Sequence, residues 1–505
     1  MTSDRIRRWH PLVLVSLALS AWVYFPITRV YFYADDFIHL LAMANHGLVA
    51  YILLPFGGHS LLASNLVFAT CYKLFDLHSE PYYWVVLLTH LLNVSLLFAT
   101  LHALTRSAPL ACFGAALWGT SPLAVGTIGW FSVYGQAMVA ALLLVVLAQV
   151  TRVAATGTSP TARAAGLWYA LLLLGVVSFG TGIGVALAFP AVIFLLLPST
   201  WRHPGLRAAY LALPLVTLAV YYASRRLYLL VAPLPIAELL QEAIATRVPL
   251  RVMLPVVGHL LGFSVSSVVL GFFRPPYPSL ACWAAIAAFA VGVGVVVWRG
   301  DRPARRAALA MVSLVAAIYC VIALGRASLY NGLRIPPSGA AGYARYHYVA
   351  TIPVVVLLCL VLQQAGRLLD RPVLRGLALI AGLAFIVAGR LQLPFAIDEH
   401  MQGRNHVAKT LQDIDAALAA RPEGATVYLD NEKSPVAILG PVVVNLAFPG
   451  RAALFLVAHP SSDVVDGRHV RFIEPDHQVL ANHSQEPGRR LIGLLVAPED
   501  LPPRP

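Results

Sequence analysis

The sequence predicts a polytopic α-helical membrane protein ending in a small soluble α/β domain, and three observations predict it. Of 505 residues, 59% are hydrophobic and 12% charged, with a mean hydropathy of +0.75; an ordinary soluble fold cannot hide that much apolar surface. Apolar runs near the roughly 20 residues that cross about 30 Å of hydrocarbon recur as far as residue 391. Beyond that point the composition reverts to that of a soluble chain. Residues 1–391 are expected to form the transmembrane, catalytic part, and 392–505 an extracytoplasmic (periplasmic) α/β domain.

The apolar segments lie near residues 12–30, 84–104, 109–128, 132–150, 166–180, 183–198, 208–230, 253–273, 280–298, 307–325, 347–364 and 374–391. Basic connectors at 1–10, 105–108, 151–165, 199–207, 299–306 and 365–375 belong on the cytoplasmic side by positive-inside bias. Three apolar segments fall between two of those connectors, where parity demands an even number of crossings. The segment 253–273, interrupted by Gly258-His259 and by Gly262 to Ser267, is expected not to span. About eleven spans follow, with interfacial or re-entrant helices, a cytoplasmic amino terminus and an outside tail. The first run continues past the signal-peptide-like region to Val30, so it is read as an uncleaved helix.

In the tail, the periodicity predicts a helix over Glu399–Leu418 and strands at Ala425–Asp430, His469–Ile473 and Arg490–Val496. The net charge of +13 is spread over short loops, and residues 392–505 alone are acidic, which excludes a nucleic-acid patch. Five cysteines in or beside apolar segments form no disulfide framework or zinc spacing. Tail residues His459, Asp463, Asp466, His469, Asp476, His477 and His483 also lack ligand spacing and read as loop polarity.

The chemistry concentrates on the outer face. Asp35 and Asp36 stand together in Tyr31-Phe-Tyr-Ala-Asp-Asp-Phe-Ile-His39, in a region whose first 391 residues hold only nine acidic residues. Each carboxylate loses hydration near hydrocarbon and raises the other's ionisation cost, so the pair suits a general base, a divalent-cation site with Asp36 as ligand, or a helix cap. His39 falls on the same helical face. In Gly342-Tyr-Ala-Arg-Tyr-His-Tyr348, Arg345, Tyr346 and His347 supply a permanent cation and donors suited to a lipid phosphate. Arg326 and Arg334, in the same outer region, run against the positive-inside bias. In Gly129-Trp-Phe-Ser-Val-Tyr-Gly-Gln136, Trp130, Tyr134 and Gln136 suit a sugar ring. An aromatic belt with a snorkelling arginine accounts for many of the same residues.

The aspartate pair after the first helix, the aromatic outer turn, Arg345-Tyr346 and a soluble tail together resemble the C-type (GT-C) integral-membrane glycosyltransferases, on the protein O-mannosyltransferase and aminoarabinose-transferase side. The resemblance implies inverting transfer of a sugar from a polyprenyl-phosphate donor to a hydroxyl of a lipid, glycan or protein acceptor, outside a bacterial inner membrane. It further implies that Asp35 or Asp36 activates the acceptor, as base or through a divalent metal ion, while Arg345 binds the departing phosphate. A lipid-linked glycan polymerase, ligase or transporter is the alternative, and a purely structural membrane protein would leave the aspartates dispensable.

Overall fold

The computed structural model describes residues 10–230, 249–271, 276–366 and most of 372–397, with short helical pieces and three strands beyond. Each of the twelve apolar segments is helical: Leu12–Tyr24, Ser79–Thr105, Ala108–Gly119 with Val125–Ile128, Gly135–Thr156, Ala162–Val176, Thr181–Leu196, Pro204–Arg226, Leu250–Val269, Leu280–Arg299, Arg302–Gly332, Thr351–Gly366 and Pro372–Arg390. Among the described residues seven helices are long and apolar enough to cross a membrane, or eight if the bent pair at 108–128 is one span. Large apolar side chains stay exposed on the outside of the bundle, including Leu280 at 86%, Trp298 at 75% and Leu215 at 73%. In water these would be a liability; against lipid they cost nothing.

Helices pack through small residues, because lipid supplies no hydrophobic drive between them. The run Gly180-Thr-Gly-Ile-Gly184 is such a feature. A Cβ on Gly184 would lie 2.7 Å from Ile318 Cα and 3.0 Å from Ala317 O, and one on Gly182 would meet Gly175 O at 2.0 Å. Gly184→Val is therefore expected to destabilise the fold by about 1–3 kcal/mol, since backbone must move to admit it. An unchanged melting temperature in detergent would contradict that packing.

The bundle has two distinct ends. At one, a cavity of about 500 Å³ is lined by Arg106, Thr151, Thr158, Ser199, Arg306 and Gln363, among others. Four of the basic connectors assigned to the cytoplasm thus meet at one end. The outer-loop elements gather elsewhere: the helices Asp35–His46, Leu48–Leu53 and Leu62–Phe75, the turn at 129–134, and the segment 337–346.

The segment 109–128 is bent by 44° after Gly119. A break in a bundle frees carbonyls that have no water to turn to. Here three consecutive ones are capped by three other helices. His90 Nε2 lies 2.9 Å from Gly119 O, the Arg390 Nε–H donates to Thr120 O at 2.8 Å, and the Tyr24 hydroxyl donates to Ser121 O. Pro122 begins the short turn beyond, leading into Val125–Ile128.

The break is not where the sequence suggests it. Leu250–Val269 is one continuous helix of 20 residues, containing Pro255, and it meets the length and composition test for a span. The Ser266 hydroxyl donates to Phe263 O at 3.1 Å within the same helix. Glycine and serine there are absorbed by intrahelical bonding and packing, so the predicted interruption does not occur.

In the tail, β1 (Thr426–Asp430) lies between β2 (Phe455–Ala458) and β3 (Val470–Ile473), parallel to the first and antiparallel to the second. The segments predicted as β1 and β3 are thus strands. The predicted strand Arg490–Val496, the polar tail cluster, and most of the predicted helix Glu399–Leu418 lie outside the described residues, as does 231–248.

Candidate active site

The adjacent aspartates open the helix Asp35–His46, where two carboxylates in the first turn complement the helix dipole. The chain enters through Ala34 at φ +46°, a left-handed conformation costly for a residue with a Cβ. This entry sends the two side chains to different surroundings.

Asp36 is fully buried. Its Oδ1 accepts the Ser132 backbone N–H at 2.6 Å and its Oδ2 the Tyr33 backbone N–H at 3.0 Å, with the Tyr83 hydroxyl 3.4 Å from Oδ2. The carboxylate therefore ties the first outer loop to the turn at 129–134. Asp35 is partly exposed and has no hydrogen bond to its carboxylate among the described residues. Burial raises its pKa above the usual carboxylate value, and the nearby charges of Arg345 and Arg326 pull it part of the way back. One carboxylate is structural in its contacts; the other is available.

Arg345 is fixed by three rings. Its guanidinium carbon lies 5.3 Å from the Trp130 ring centre, 5.1 Å from Tyr343 and 5.3 Å from Tyr346. Such cation–π contacts orient a guanidinium, and the hydroxyls of Tyr346 and Tyr330 accept hydrogen bonds from part of its N–H edge. Tyr346 is buried, and its hydroxyl bonds that of Tyr330. The backbone of Arg345 rests on Gly126, in the arm beyond the helix break: a Cβ there would lie 2.5 Å from Arg345 N and 2.9 Å from Ala344 C. Only glycine admits that approach.

A second cationic element adjoins the first. Phe56 and His59 pair across a tight turn whose central residues, Gly57 and Gly58, have φ of +55° and +81°. Arg326 Nη2 donates to Gly57 O at 3.2 Å and lies 2.9 Å from His59 Nε2. An arginine can only donate, so that His59 nitrogen accepts and the ring is neutral. Burial, followed by the charges of Arg326, Arg225 and Arg345, holds the His59 pKa well below its ordinary value. The Tyr221 hydroxyl donates to Gly58 O at 2.7 Å and accepts from Arg225 Nη1 at 3.1 Å. Arg326 thus bonds a neutral histidine that also lies in the field of Arg225 and Arg345.

The sequence-predicted residues divide accordingly. Asp35, Arg345, Tyr346 and Trp130 come together. His39 is buried among Phe56, Phe68 and Tyr51, with its Nδ1 3.1 Å from the Tyr51 hydroxyl, and burial pushes its pKa down to about 3. Tyr134 is buried, stacked on Phe131, and bonds Thr89. His347 is buried with both ring nitrogens engaged, by the Tyr319 hydroxyl and Ala341 O at 2.7 Å each. Gln136 is buried without a hydrogen bond. Asp36, the candidate metal ligand, has its oxygens turned to N–H and O–H donors, and Asp35 stands in the field of two arginines, which repel a cation. Among the described residues no three His, Cys, Asp or Glu side chains form a metal-binding group.

Sequence reasoning missed Arg225, His59, Gly57 and Gly126. Arg225 ends an apolar run and reads as a snorkelling residue, and Gly126 lies within another. Arg326 had a signal, a basic residue on the side expected to be outer.

No protein-family model and no curated protein matches the chain. Among solved structures it is similar to the crystal structure of ArnT from Cupriavidus metallidurans bound to undecaprenyl phosphate, at 14% sequence identity and a TM-score of 0.48, covering 88% of this chain and 85% of that one. A likeness of that degree carries no argument about activity.

Proposed function

We propose that this protein is an integral-membrane glycosyltransferase that moves a sugar from a polyprenyl-phosphate donor to an acceptor hydroxyl at the outer face of a bacterial inner membrane. The observation that carries the reading is a half-buried carboxylate of raised pKa, Asp35, left without hydrogen bonds beside two fixed guanidinium groups at one end of a membrane bundle. The arrangement suits transfer from a phosphate leaving group. The acceptor oxygen attacks the anomeric carbon, the bond from that carbon to the phosphate oxygen breaks, and the polyprenyl phosphate departs with the electron pair. Asp35 takes the hydroxyl proton, and its raised pKa makes it a better base than a free carboxylate. Arg345, with Arg326 beside it, stabilises the growing negative charge where a low-dielectric membrane edge strengthens the interaction. Asp36 holds the loop that presents Asp35.

In this reading the amino terminus is cytoplasmic, and the tail forms an α/β domain on the same side as the site. Support comes from the basic connectors meeting at one end of the bundle and the outer-loop helices gathering apart from them. Eleven crossings leave out Leu250–Val269 despite its length, since Ser199 and Arg306 line one cavity and an even number of segments must cross between their connectors; the shorter apolar helices then cross beside the others of membrane length.

The reading is tested by the pH profile of transfer from a polyprenyl-phosphate sugar. The rate is expected to fall with acid through an ionisation above the usual carboxylate range. Arg326→Gln removes one of the charges that lower the Asp35 pKa while retaining Arg345, so the acidic limb moves to still higher pH. A limb that stays put, or moves down, would remove Asp35 from the role of base.

A further inference from the structure

Eleven buried side-chain polar atoms lack a hydrogen-bond partner among the described residues, and five come from one stretch of ten residues: Thr127 Oγ1, Trp130 Nε1, Ser132 Oγ, and both amide atoms of Gln136. Native structures rarely tolerate such groups, each costing about 1–3 kcal/mol when left unpaired. Gln136 is the most demanding. It is only 1% exposed and lacks a partner for either its donor or its acceptor.

Two residues of this stretch touch the site. Ser132 gives its backbone N–H to Asp36 while its hydroxyl is unpartnered, and Trp130 carries Arg345 on its ring while its N–H is unpartnered. The unmatched set includes donors, acceptors and hydroxyls that act as both. A polyhydroxylated ring has the complementary mixture; a phosphate, which only accepts, does not. Residues 127–136 contain no charged side chain. Of the two nearby carboxylates, Asp36 is closed off by its own hydrogen bonds and Asp35 is opposed by Arg345 and Arg326.

We infer that the turn from Thr127 to Gln136 is the sugar-recognition wall, and that the sugar it takes is a neutral polyol rather than an amino sugar. An ammonium group would find no carboxylate to pair with there and would sit in the field of arginines. The inference rests on the glycosyltransferase reading and narrows its substrate class.

The test measures binding to the full-length protein in nanodiscs, using undecaprenyl phosphate, undecaprenyl phosphoglucose, and the same lipid carrying a 4-amino-4-deoxypentose. The neutral sugar is expected to bind about tenfold tighter than the bare lipid phosphate, because it satisfies groups otherwise unpaired. The amino sugar should gain nothing. Gln136→Leu and Ser132→Ala should each remove most of the gain and leave bare-phosphate affinity unchanged; Thr127→Val, which replaces an unpartnered hydroxyl by a methyl of the same shape, provides a milder variant should Gln136→Leu fail to fold. An amino sugar that binds as tightly as the neutral one, or a gain that survives these variants, overturns the inference. Failure of the wild-type protein to bind even bare undecaprenyl phosphate would instead count against the glycosyltransferase reading.

Discussion

Asp35→Asn is expected to lower transfer by about 10²–10⁴-fold, the range associated with loss of a positioned general base, while the protein folds as before or with a higher melting temperature. The stability sign follows from linkage. Burial raises the folded-state pKa of Asp35, so the group favours the fold while protonated, and that contribution is lost as pH rises through the raised pKa. At neutral pH the asparagine amide replaces a poorly solvated charge at little cost. Asp36→Asn should behave oppositely. An amide would turn one N–H2 group toward the Ser132 or Tyr33 backbone donors, leaving a buried donor without an acceptor. A loss of roughly 1–3 kcal/mol of stability, with activity falling as a consequence, is expected. Thermal melts alongside transfer assays separate the two. Equal melting temperatures with equal loss of activity would mean that both carboxylates take part in the chemistry.

Gly126→Ala should reproduce the phenotype of Arg345→Ala without touching any ligand. The added Cβ would sit 2.5 Å from Arg345 N, so the short helix Val125–Ile128 and the segment carrying Arg345 must part. A displacement near 1 Å at a phosphate-binding guanidinium can cost about 10²-fold. Bare undecaprenyl phosphate should bind more weakly in both variants, and the double variant should lose little more than either alone, since both remove one interaction. Independent, additive losses would show that Gly126 acts on something other than Arg345.

The aspartate pair and Arg345 were legible in the sequence because charge beside hydrocarbon is rare. The division of labour between Asp35 and Asp36 was not legible. It is decided by the backbone at Ala34 and by a partner, Ser132, 96 residues away. The same holds for His59, which looks like an unremarkable loop histidine until Arg326 reaches it from 267 residues further along. The misplaced interruption has a related cause. Gly258, Gly262 and the serines of 264–267 weaken a helix in water, yet in a packed bundle they are small surfaces for neighbours. The actual break contains Thr120, Ser121 and Pro122, and the apolar average over 109–128 concealed it. Helix periodicity reports which stretches are apolar, not where a bundle will supply substitutes for missing backbone bonds.

The capped break also bears on how the protein is made. The arm carrying Gly126, on which Arg345 rests, begins at carbonyls held by the first long helices and by Arg390 in the helix that closes the apolar region. Arg390 lies 270 residues beyond the Thr120 carbonyl it satisfies. During synthesis from the amino terminus, that carbonyl must wait for nearly the whole apolar region to be inserted before it meets its partner. Assembly of the candidate site is thereby coupled to insertion of the helix at 372–390: the arm carrying Gly126 gains its last carbonyl partner only at the end of membrane insertion, although its own residues enter early.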